Sequence, residues 1–566
     1  MGTLKRGSQA LNAAYTEAKE RIERQSSESI ALSKTILAWI TLAERPLTAT
    51  ELQHALGIEP GIPFDDDNII EMEDILSVCA GLVALDPSTQ IVRFFHFTAQ
   101  EYFEKLMPTW HPTARVDVAR TCLYYLLDND FANGQSSTQT ELEARLQEHP
   151  LLDFACCFWG TYAKNDMSAL GSQLPLQLVR DLDKVACAVE VSLRPTQLCD
   201  SWADVPRDVS GLDLASGLGL DRVVEELLNK DQHPADELDS KRRSPLSWAA
   251  ERGQEGCVRL LLARSDVEPD SRDHNGCTPL AWASRFGHVG IVLALLDHSV
   301  EADTPDKFDQ TPLSWASEYG KEDVVKVLLR QPDISADSRD ITGQTPFSWA
   351  ARRGQIEVMK LLLDLPDVEV DSFDNMGQTP LSRAARAGEE AAIAFLLAST
   401  SAEPDCADNE GMTPLSWAAK CGHEGTVKLL VDRDDVEADS KDLNGQTPFW
   451  WAARRGHEAV VVLLSKRSDV DTDIENYDGQ TPLSMAAECG MDAVVTYLVD
   501  TCGVNVESRD QGGQTPLSWA ARCGQDGAVR LLMDRADKET KDNEGRTPLA
   551  WAKIRNHQMA IDILSA

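Results

Sequence analysis

The segment Thr413–Gly422, TPLSWAAKCG, decides how most of this chain folds. Thr often precedes a helix because its hydroxyl accepts hydrogen bonds from the free amides of the first turn. Pro suits the next position, where a helix leaves the N–H without a partner. Gly, nine residues after the Thr, adopts the left-handed conformation that ends helices. The segment therefore predicts a helix of about two turns.

The same phrase recurs along the chain in steps of 32 to 34 residues. A second apolar pattern follows each phrase, such as Val325, Leu328 and Leu329, with the spacing of an amphipathic helix. Polar, Gly-containing segments such as DSKDLNGQ separate the units and predict exposed turns. Ser210 begins an earlier unit without the Pro, which gives about eleven units. The other units begin at Ser244, Thr278, Thr311, Thr345, Thr379, Thr413, Thr447, Thr481, Thr515 and Thr547.

The period, the Thr-Pro-Leu, the Ala pair and the Gly resemble the ankyrin repeat, a turn followed by two antiparallel helices. The resemblance implies a mainly α protein with an ankyrin solenoid over residues 205–566. The family's signature His is Ser in most units, as at Ser416. We expect Ser to rebuild part of the hydrogen-bond network that this His makes between units. The S/T-P-L-S-W-A-A spelling is similar to ankyrin repeats of filamentous fungi.

A Trp follows this position in most units, as at Trp417. Because stacked repeats bury a continuous apolar seam, we expect the indoles to fill that seam. The alternative is an exposed ladder on which bases or ligands stack. The Trp positions are Trp248, Trp282, Trp315, Trp349, Trp417, Trp451, Trp519 and Trp551.

The first two hundred residues carry a different pattern. We expect an N-terminal helix over 1–26, a winged-helix-like domain over 27–107 and a helical connector over 108–204. The middle segment predicts three helices followed by a hairpin with Pro87 in its loop. Winged helices often read DNA, but the third helix carries Glu71, Glu73 and Asp74 and no Lys or Arg. Such a surface repels phosphates, so we expect no direct nucleic-acid binding.

The runs ILAWITLAERPLTATELQHAL and VRFFHFTAQEYFEKL resemble the winged helix that follows the NACHT nucleotide-binding domain in fungal NLR-like proteins. In that family repeats come next, and a His in the second run contacts bound nucleotide. The resemblance assigns this role to His96. No G-x-x-x-x-G-K-[ST] phosphate loop occurs, so the chain resembles an NLR-like protein that lacks its NACHT domain. The competing interpretation makes His96 a core residue of a strand.

Composition excludes several function classes. Lys and Arg number 54 against 92 Asp and Glu, a net charge of −38, which disfavours nucleic acids and anionic membranes as partners. No apolar run reaches the ~18 residues of a membrane span. The thirteen cysteines include no C-x-x-C pair and no secretory signal precedes them, so we expect reduced thiols in the cytoplasm or nucleus. No catalytic motif is present, and we expect no enzyme activity, cofactor or metal.

We therefore expect a binding protein whose concave ankyrin face takes a protein partner. The seventh and eighth residues after each cap contain ten basic and three acidic residues. Cations favour helix C-termini, which is a structural explanation for part of this bias. The functional hypothesis is a basic groove for an acidic partner segment, with exposed Arg353 and Arg454 and with apolar contacts from Phe286 and Tyr319. The predicted partner-binding residues are Arg252, Arg285, Phe286, Tyr319, Arg352, Arg353, Arg386, Lys420, Arg454, Arg455 and Arg522.

Two functions remain open from the sequence. One is a non-enzymatic adaptor or recognition subunit of the NLR-like type. The other is an ankyrin-type transcription co-regulator that acts in the nucleus through a DNA-bound factor. No Lys/Arg-rich cluster of five to eight residues marks nuclear import.

Overall fold

The computed structural model describes residues 2–59, 62, 68–194, 205–230 and 234–566. The chain forms two compact units, one of residues 1–283 with 290–301 and one of residues 284–289 with 302–566. The mainly helical architecture expected from the sequence is confirmed. Residues 195–204, the end of the predicted connector, lie outside the described residues.

A small three-stranded sheet with helices forms the start of the first unit. β3 (Ile91–Phe94) lies between β1 (Leu47–Thr48) and β2 (Val83–Leu85), and both pairings are antiparallel. The hairpin was predicted, whereas β1 was not. The helices are α1 (Gly2–Glu23), α2 (Ser27–Leu42), α3 (Ala49–Gly57), α4 (Met72–Val78) and α5 (Phe97–Trp110).

Local capping explains where these elements begin. Thr48 accepts from the Glu51 amide, and the Glu51 carboxylate accepts from the Thr48 amide, which forms a capping box at the start of α3. The fully buried Trp39, Ile75 and Phe103 come from three different helices and form the core of this region. The sequence therefore specifies both the helix start and the apolar faces that pack here.

A helical segment follows, with a 3₁₀ turn at Asn129–Phe131. Its buried residues include Trp159, Phe154 and Tyr162, and Tyr162 donates to the Leu42 carbonyl at 2.8 Å. The helices are α6 (Ala114–Leu126), α7 (Gln139–Glu148), α8 (Leu152–Leu170), α9 (Gln173–Val179) and α10 (Leu182–Ser192).

Paired helices then repeat through the rest of both units. The first helices are α11 (Gly211–Leu218), α13 (Pro245–Glu251), α15 (Pro279–Phe286), α17 (Pro312–Glu318), α19 (Pro346–Arg352), α21 (Pro380–Ala387), α23 (Pro414–Cys421), α25 (Pro448–Arg455), α27 (Pro482–Cys489), α29 (Pro516–Cys523) and α31 (Pro548–Arg555). The second helices are α12 (Asp221–Asn229), α14 (Glu255–Leu262), α16 (Val289–Leu296), α18 (Glu322–Leu328), α20 (Ile356–Leu363), α22 (Glu390–Ser399), α24 (Glu424–Val431), α26 (Glu458–Leu464), α28 (Asp492–Tyr497), α30 (Asp526–Met533) and α32 (Gln558–Ser565).

The hydroxyl network expected in place of the signature His is present. Thr413 caps α23 by accepting from the Ser416 amide at 3.2 Å, and the two hydroxyls lie 3.1 Å apart. Ser440, from the following repeat, places its hydroxyl 3.2 Å from that of Thr413. Gly422 ends the helix with a φ of 80°. Small hydroxyls thus join the cap of one repeat to the turn of the next.

A buried Asp in each turn fastens that turn to the Trp of its own first helix. One oxygen of Asp442 accepts from the amides of Asn444 and Gln446 at 2.9 and 2.8 Å. The other oxygen accepts from the indole N–H of Trp451 at 3.0 Å. The same Asp–Trp bond, 2.8 to 3.1 Å long, joins residues nine apart in the pairs 239/248, 273/282, 306/315, 340/349, 408/417, 442/451, 510/519 and 542/551.

Among the ten repeats from Ser244 onward, two lack the Trp and show the same pairing in altered form. Where Arg383 replaces the Trp, its guanidinium donates to Asp374 at 2.6 Å. Where Met485 replaces it, Asn476 replaces the Asp, and its side-chain oxygen still accepts from the Asp478 and Gln480 amides. The indoles expected in the seam are buried at Trp248, Trp417, Trp451 and Trp551 and partly exposed in the other four repeats.

A second carboxylate joins each repeat to its successor. One oxygen accepts a backbone N–H that lies 31 or 32 residues later, at 2.6 to 3.2 Å. The other oxygen is buried and has no hydrogen-bond partner among the described residues, and burial raises the pKa of each carboxyl. These residues are Asp236, Asp270, Asp371, Asp405, Asp439 and Asp473.

The Asp–Trp pairing predicts energetic coupling between residues 340 and 349. Trp349→Phe should lower the free energy of unfolding by about 1–3 kcal/mol, because it deprives a buried carboxylate of a donor. The double variant Asp340→Asn/Trp349→Met reproduces the pair found at 476 and 485, and it should cost less than the sum of its single variants. Urea unfolding followed by circular dichroism measures Trp349→Phe and the four proteins of the cycle, which are the wild type, Asp340→Asn, Trp349→Met and the double variant. Costs that add within about 0.3 kcal/mol would contradict the coupling.

The raised pKa of the Asp439 carboxyl predicts a pH-dependent effect. A group with a raised pKa in the folded state contributes stability at low pH, and that contribution is lost as the pH rises through the folded-state pKa. Asp439→Asn should therefore raise the melting temperature at pH 7 and change it little near pH 3.5, below the ordinary Asp value of about 3.9. Equal melting temperatures of the two proteins at pH 7 would refute the assignment.

Candidate partner-binding surface

The cations at the seventh position after the cap, which the sequence predicted as partner-binding residues, lie over tryptophan rings. In the second unit we define the cation row as Arg352, Arg386, Lys420, Arg454 and Arg522, which lie in or at the end of the first helices. Their charged groups lie 3.8 to 5.5 Å from indole centroids of the same or the next repeat. Such contacts stabilise a cation by about 0.5–2 kcal/mol while leaving its hydrogen-bond donors accessible.

Lys420 shows how closely the row follows the indoles. Its ammonium lies 4.7 Å from the ring of Trp417 and 3.8 Å from the ring of Trp451, which is held by Asp442. Burial lowers the pKa of Lys420, and the nearby Arg455 lowers it further. The cation is thus partly desolvated and positioned by two successive repeats.

No member of the cation row forms an ion pair with a carboxylate among the described residues. The chain as a whole carries 38 more acidic than basic residues. Elsewhere, cations such as Arg467 and Arg433 pair with neighbouring aspartates at 2.6 and 2.5 Å. Burial, followed by repulsion from Arg353, Arg383 and Arg386, lowers the pKa of Arg352. The row is therefore a local concentration of cations that form no ion pair among the described residues.

The eighth position diverges from one repeat to the next. Arg353 pairs with the buried Glu318 of the preceding repeat at 2.6 Å, although half of its side chain is exposed. Arg455 is exposed and makes no ion pair within the described part of the chain. Glu488, at a seventh position, is half-buried, and burial raises its pKa against the influence of Arg454 and Arg522.

An aromatic cluster precedes the cation row in the second unit. The Arg285 guanidinium lies 4.7 Å from the ring of Trp315 and donates to the Tyr319 hydroxyl at 3.2 Å. Phe286 and Tyr319 are each 38% exposed. They are therefore accessible for the apolar contacts that the sequence suggested.

Two expectations about these residues need correction. Arg454 is half-buried rather than exposed, because its guanidinium lies 5.5 Å from the rings of both Trp450 and Trp451. Arg252 belongs to the first unit and lies over Trp248 beside a cavity. We therefore confine the candidate surface to the second unit.

His96 lies on the surface, so its interpretation as a core residue is wrong. Strand β3 ends at Phe94, and the chain turns before α5 begins at Phe97. His96 is the cap of that helix, with its Nδ1 accepting from the Thr98 amide at 3.3 Å. Phe95 and Phe97 beside it are 81% and 73% exposed. A nucleotide contact of His96 stays a prediction.

The acidic residues predicted on the third helix of the winged helix are exposed. Glu71 precedes α4, and Glu73 and Asp74 lie in its first turn. Among the described residues, no helix is long and apolar enough to cross a membrane. Within the same residues, no group of three or more His, Cys, Asp or Glu side chains is arranged to hold a metal ion.

The geometry defines a helical repeat scaffold, a class that binds through its extended surface. The family model for ankyrin repeats matches in overlapping segments from residue 212 to residue 566, so the chain belongs to the ankyrin-repeat family and is a protein-interaction scaffold. Residues 22–106 match the winged-helix domain described for GPI inositol-deacylase. No curated protein matches the chain.

The acidic α4 predicts that the winged helix does not bind duplex DNA by itself. Fluorescence anisotropy of the full chain with a labelled random duplex should show no saturable binding at micromolar protein, because the helix would place carboxylates against phosphates. Micromolar binding that weakens steeply with salt would contradict this expectation. It should then be retested after Glu73→Lys, which ought to strengthen a genuine contact at α4.

Proposed function

We propose that the protein is a non-enzymatic scaffold that holds an acidic segment of a partner protein against the cation row. The observation that carries this proposal is that the row is stabilised by indoles instead of carboxylates in a strongly acidic chain. A cation–π contact uses the face of a guanidinium rather than its edge donors. Of these donors in the row, one from Arg522 already donates to the Gln514 side-chain oxygen at 3.1 Å. Those donors match carboxylates in a bidentate geometry.

The surroundings of the row favour a partner that combines acidic and apolar side chains. Phe286 and Tyr319 offer exposed aromatic surface before the row begins, and Arg and Tyr are enriched among residues that dominate binding energy. The negative charge of the rest of the chain repels polyanions such as nucleic acids, which adds selectivity for a short acidic segment.

The wider role that we propose is that of an adaptor or recognition subunit of the NLR-like type. It is supported by the order of a winged helix, a helical segment and ankyrin repeats along one chain. The alternative is a transcription co-regulator that binds a DNA-bound factor. A fluorescent fusion that accumulates in the nucleus would favour the co-regulator, and one that remains in the cytoplasm would favour the adaptor.

The cation row predicts a charge-dependent affinity for acidic peptides. The probe is a fluorescein-labelled eight-residue peptide in which Glu alternates with Leu, and its Gln counterpart is the neutral control. Arg386→Glu/Lys420→Glu should weaken binding at least tenfold, about 1.4 kcal/mol, because both cations belong to the row and form no ion pair among the described residues. Anisotropy titrations at two salt concentrations measure the effect.

A control variant distinguishes an effect of the cation row from an effect of the protein's net charge. Lys428→Glu/Arg530→Glu makes the same change in charge at exposed positions of the second helices α24 and α30. It should alter the affinity less than threefold. Equal weakening by both double variants, or equal binding of the Gln peptide, would reject the cation row as the binding site.

A further inference from the structure

A cavity of about 360 Å³ lies in the first unit among helices α8, α10, α11 and α13. Its size falls in the range of about 300–1,000 Å³ typical of small-molecule sites. Its walls are mostly apolar, and one full positive charge, that of Arg252, lines it. The lining residues are Cys156, Cys157, Val189, Ser192, Leu193, Leu214, Leu218, Trp248 and Arg252.

Arg252 has no carboxylate within ion-pair distance in the described part of the chain. Its counterpart in a later repeat, Arg353, pairs with Glu318 at 2.6 Å. Glu251, which precedes Arg252 in the chain, and Asp153, which accepts from the thiol of the lining Cys157, are engaged by other cations. Glu251 lies 3.1 Å from Arg243, and Asp153 lies 2.7 Å from both Arg45 and Arg194.

The surroundings of Arg252 partly desolvate its charge, and no described carboxylate forms an ion pair with it. The guanidinium lies 5.4 Å from the ring of Trp248, whose indole is also contacted by Arg243 at 3.9 Å. Burial lowers the pKa of Arg252, the neighbouring Glu251 acts in the opposite direction, and Arg243 lowers the pKa further. A charge removed from water without a partner is costly, so an anion that enters the cavity gains the whole benefit of pairing.

The remaining lining restricts the rest of the ligand. Leu193, Leu214 and Leu218 present hydrocarbon surface, and the Ser192 hydroxyl donates to the Ala188 carbonyl at 2.7 Å. A ligand that fits this lining has one anionic end and an apolar body. A second charged group would be buried without a partner.

We propose that the cavity binds a small organic carboxylate, with its carboxylate on the Arg252 fork and its hydrocarbon chain against the leucines. The site is separate from the cation row, so its failure would leave the proposed function untouched. It also gives the first unit a binding activity of its own.

Octanoate is the probe for this site, and isothermal titration calorimetry of the full chain is the measurement. Octanoate should bind saturably, whereas octylamine, which has the same chain and the opposite charge, should not. Arg252→Gln should weaken octanoate binding at least tenfold. Arg455→Gln is the matched control at the equivalent, exposed position of a later repeat, and it should leave binding unchanged.

Two further measurements distinguish loss of the binding site from misfolding of the variant. Binding should decrease in the order wild type, Arg252→Lys, Arg252→Gln, because Lys keeps the charge but loses the bidentate fork. The melting temperature without ligand should stay constant or rise in Arg252→Gln, since an unpaired desolvated charge is removed. The proposal is overturned if octanoate does not bind, if octylamine binds equally, if Arg252→Gln binds as wild type does, or if Arg252→Gln melts several degrees lower.

Discussion

The hydrogen bond between a turn Asp and the Trp nine residues later is the contact on which the rest of the array depends. One carboxylate holds two amides of its turn and the indole of the following helix, so turn and helix are fixed by one buried group. The repeats in which Arg or Met stands in place of the Trp follow this constraint. Arg383 keeps an Asp as its acceptor, whereas Met485, which has no donor, occurs with Asn476.

This contact links the fold to the surface that we assign to binding. An indole whose N–H is held by a buried carboxylate presents a fixed ring, and the cations of the same and the preceding repeat lie over that ring. Lys420 contacts the rings of Trp417 and Trp451, and Arg386 lies 4.5 Å from the ring of Trp417. The repeat core therefore positions the positive charges, and the charges remain available because no carboxylate in the described part of the chain forms an ion pair with them.

Local features of the fold could be predicted from sequence because they depend on residues close together in the chain. The Thr caps, the Pro that follows and the helix-ending Gly each act within one helix, so the helices of the array were predicted closely. The Asp–Trp bond was missed, although the signal was present: an Asp precedes each repeat Trp by nine residues and is Asn where the Trp is Met. Trp417 is buried between repeats, as the sequence predicted. Trp349 is partly exposed, and its exposure depends on the neighbouring repeats.

The candidate sites depended more on contacts between distant residues. Arg353 and Arg455 occupy equivalent positions, yet Arg353 is paired because Glu318 lies 35 residues before it, and no such residue faces Arg455. The cavity beside Arg252 is formed by four helices that are far apart in sequence. The core position predicted for His96 was wrong because the sequence pattern extended strand β3 two residues beyond Phe94, whereas the chain turns after Phe94.

Hydrogen exchange of the indole N–H groups, followed by NMR on protein labelled with ¹⁵N at tryptophan, tests the central claim most directly. The account predicts that the eight repeat indoles bonded to Asp exchange far more slowly than indoles that are exposed to solvent. These eight include the partly exposed Trp282, Trp315, Trp349 and Trp519. Exchange of these eight indoles at the rate of free tryptophan, while the helix amides remain protected, would contradict it.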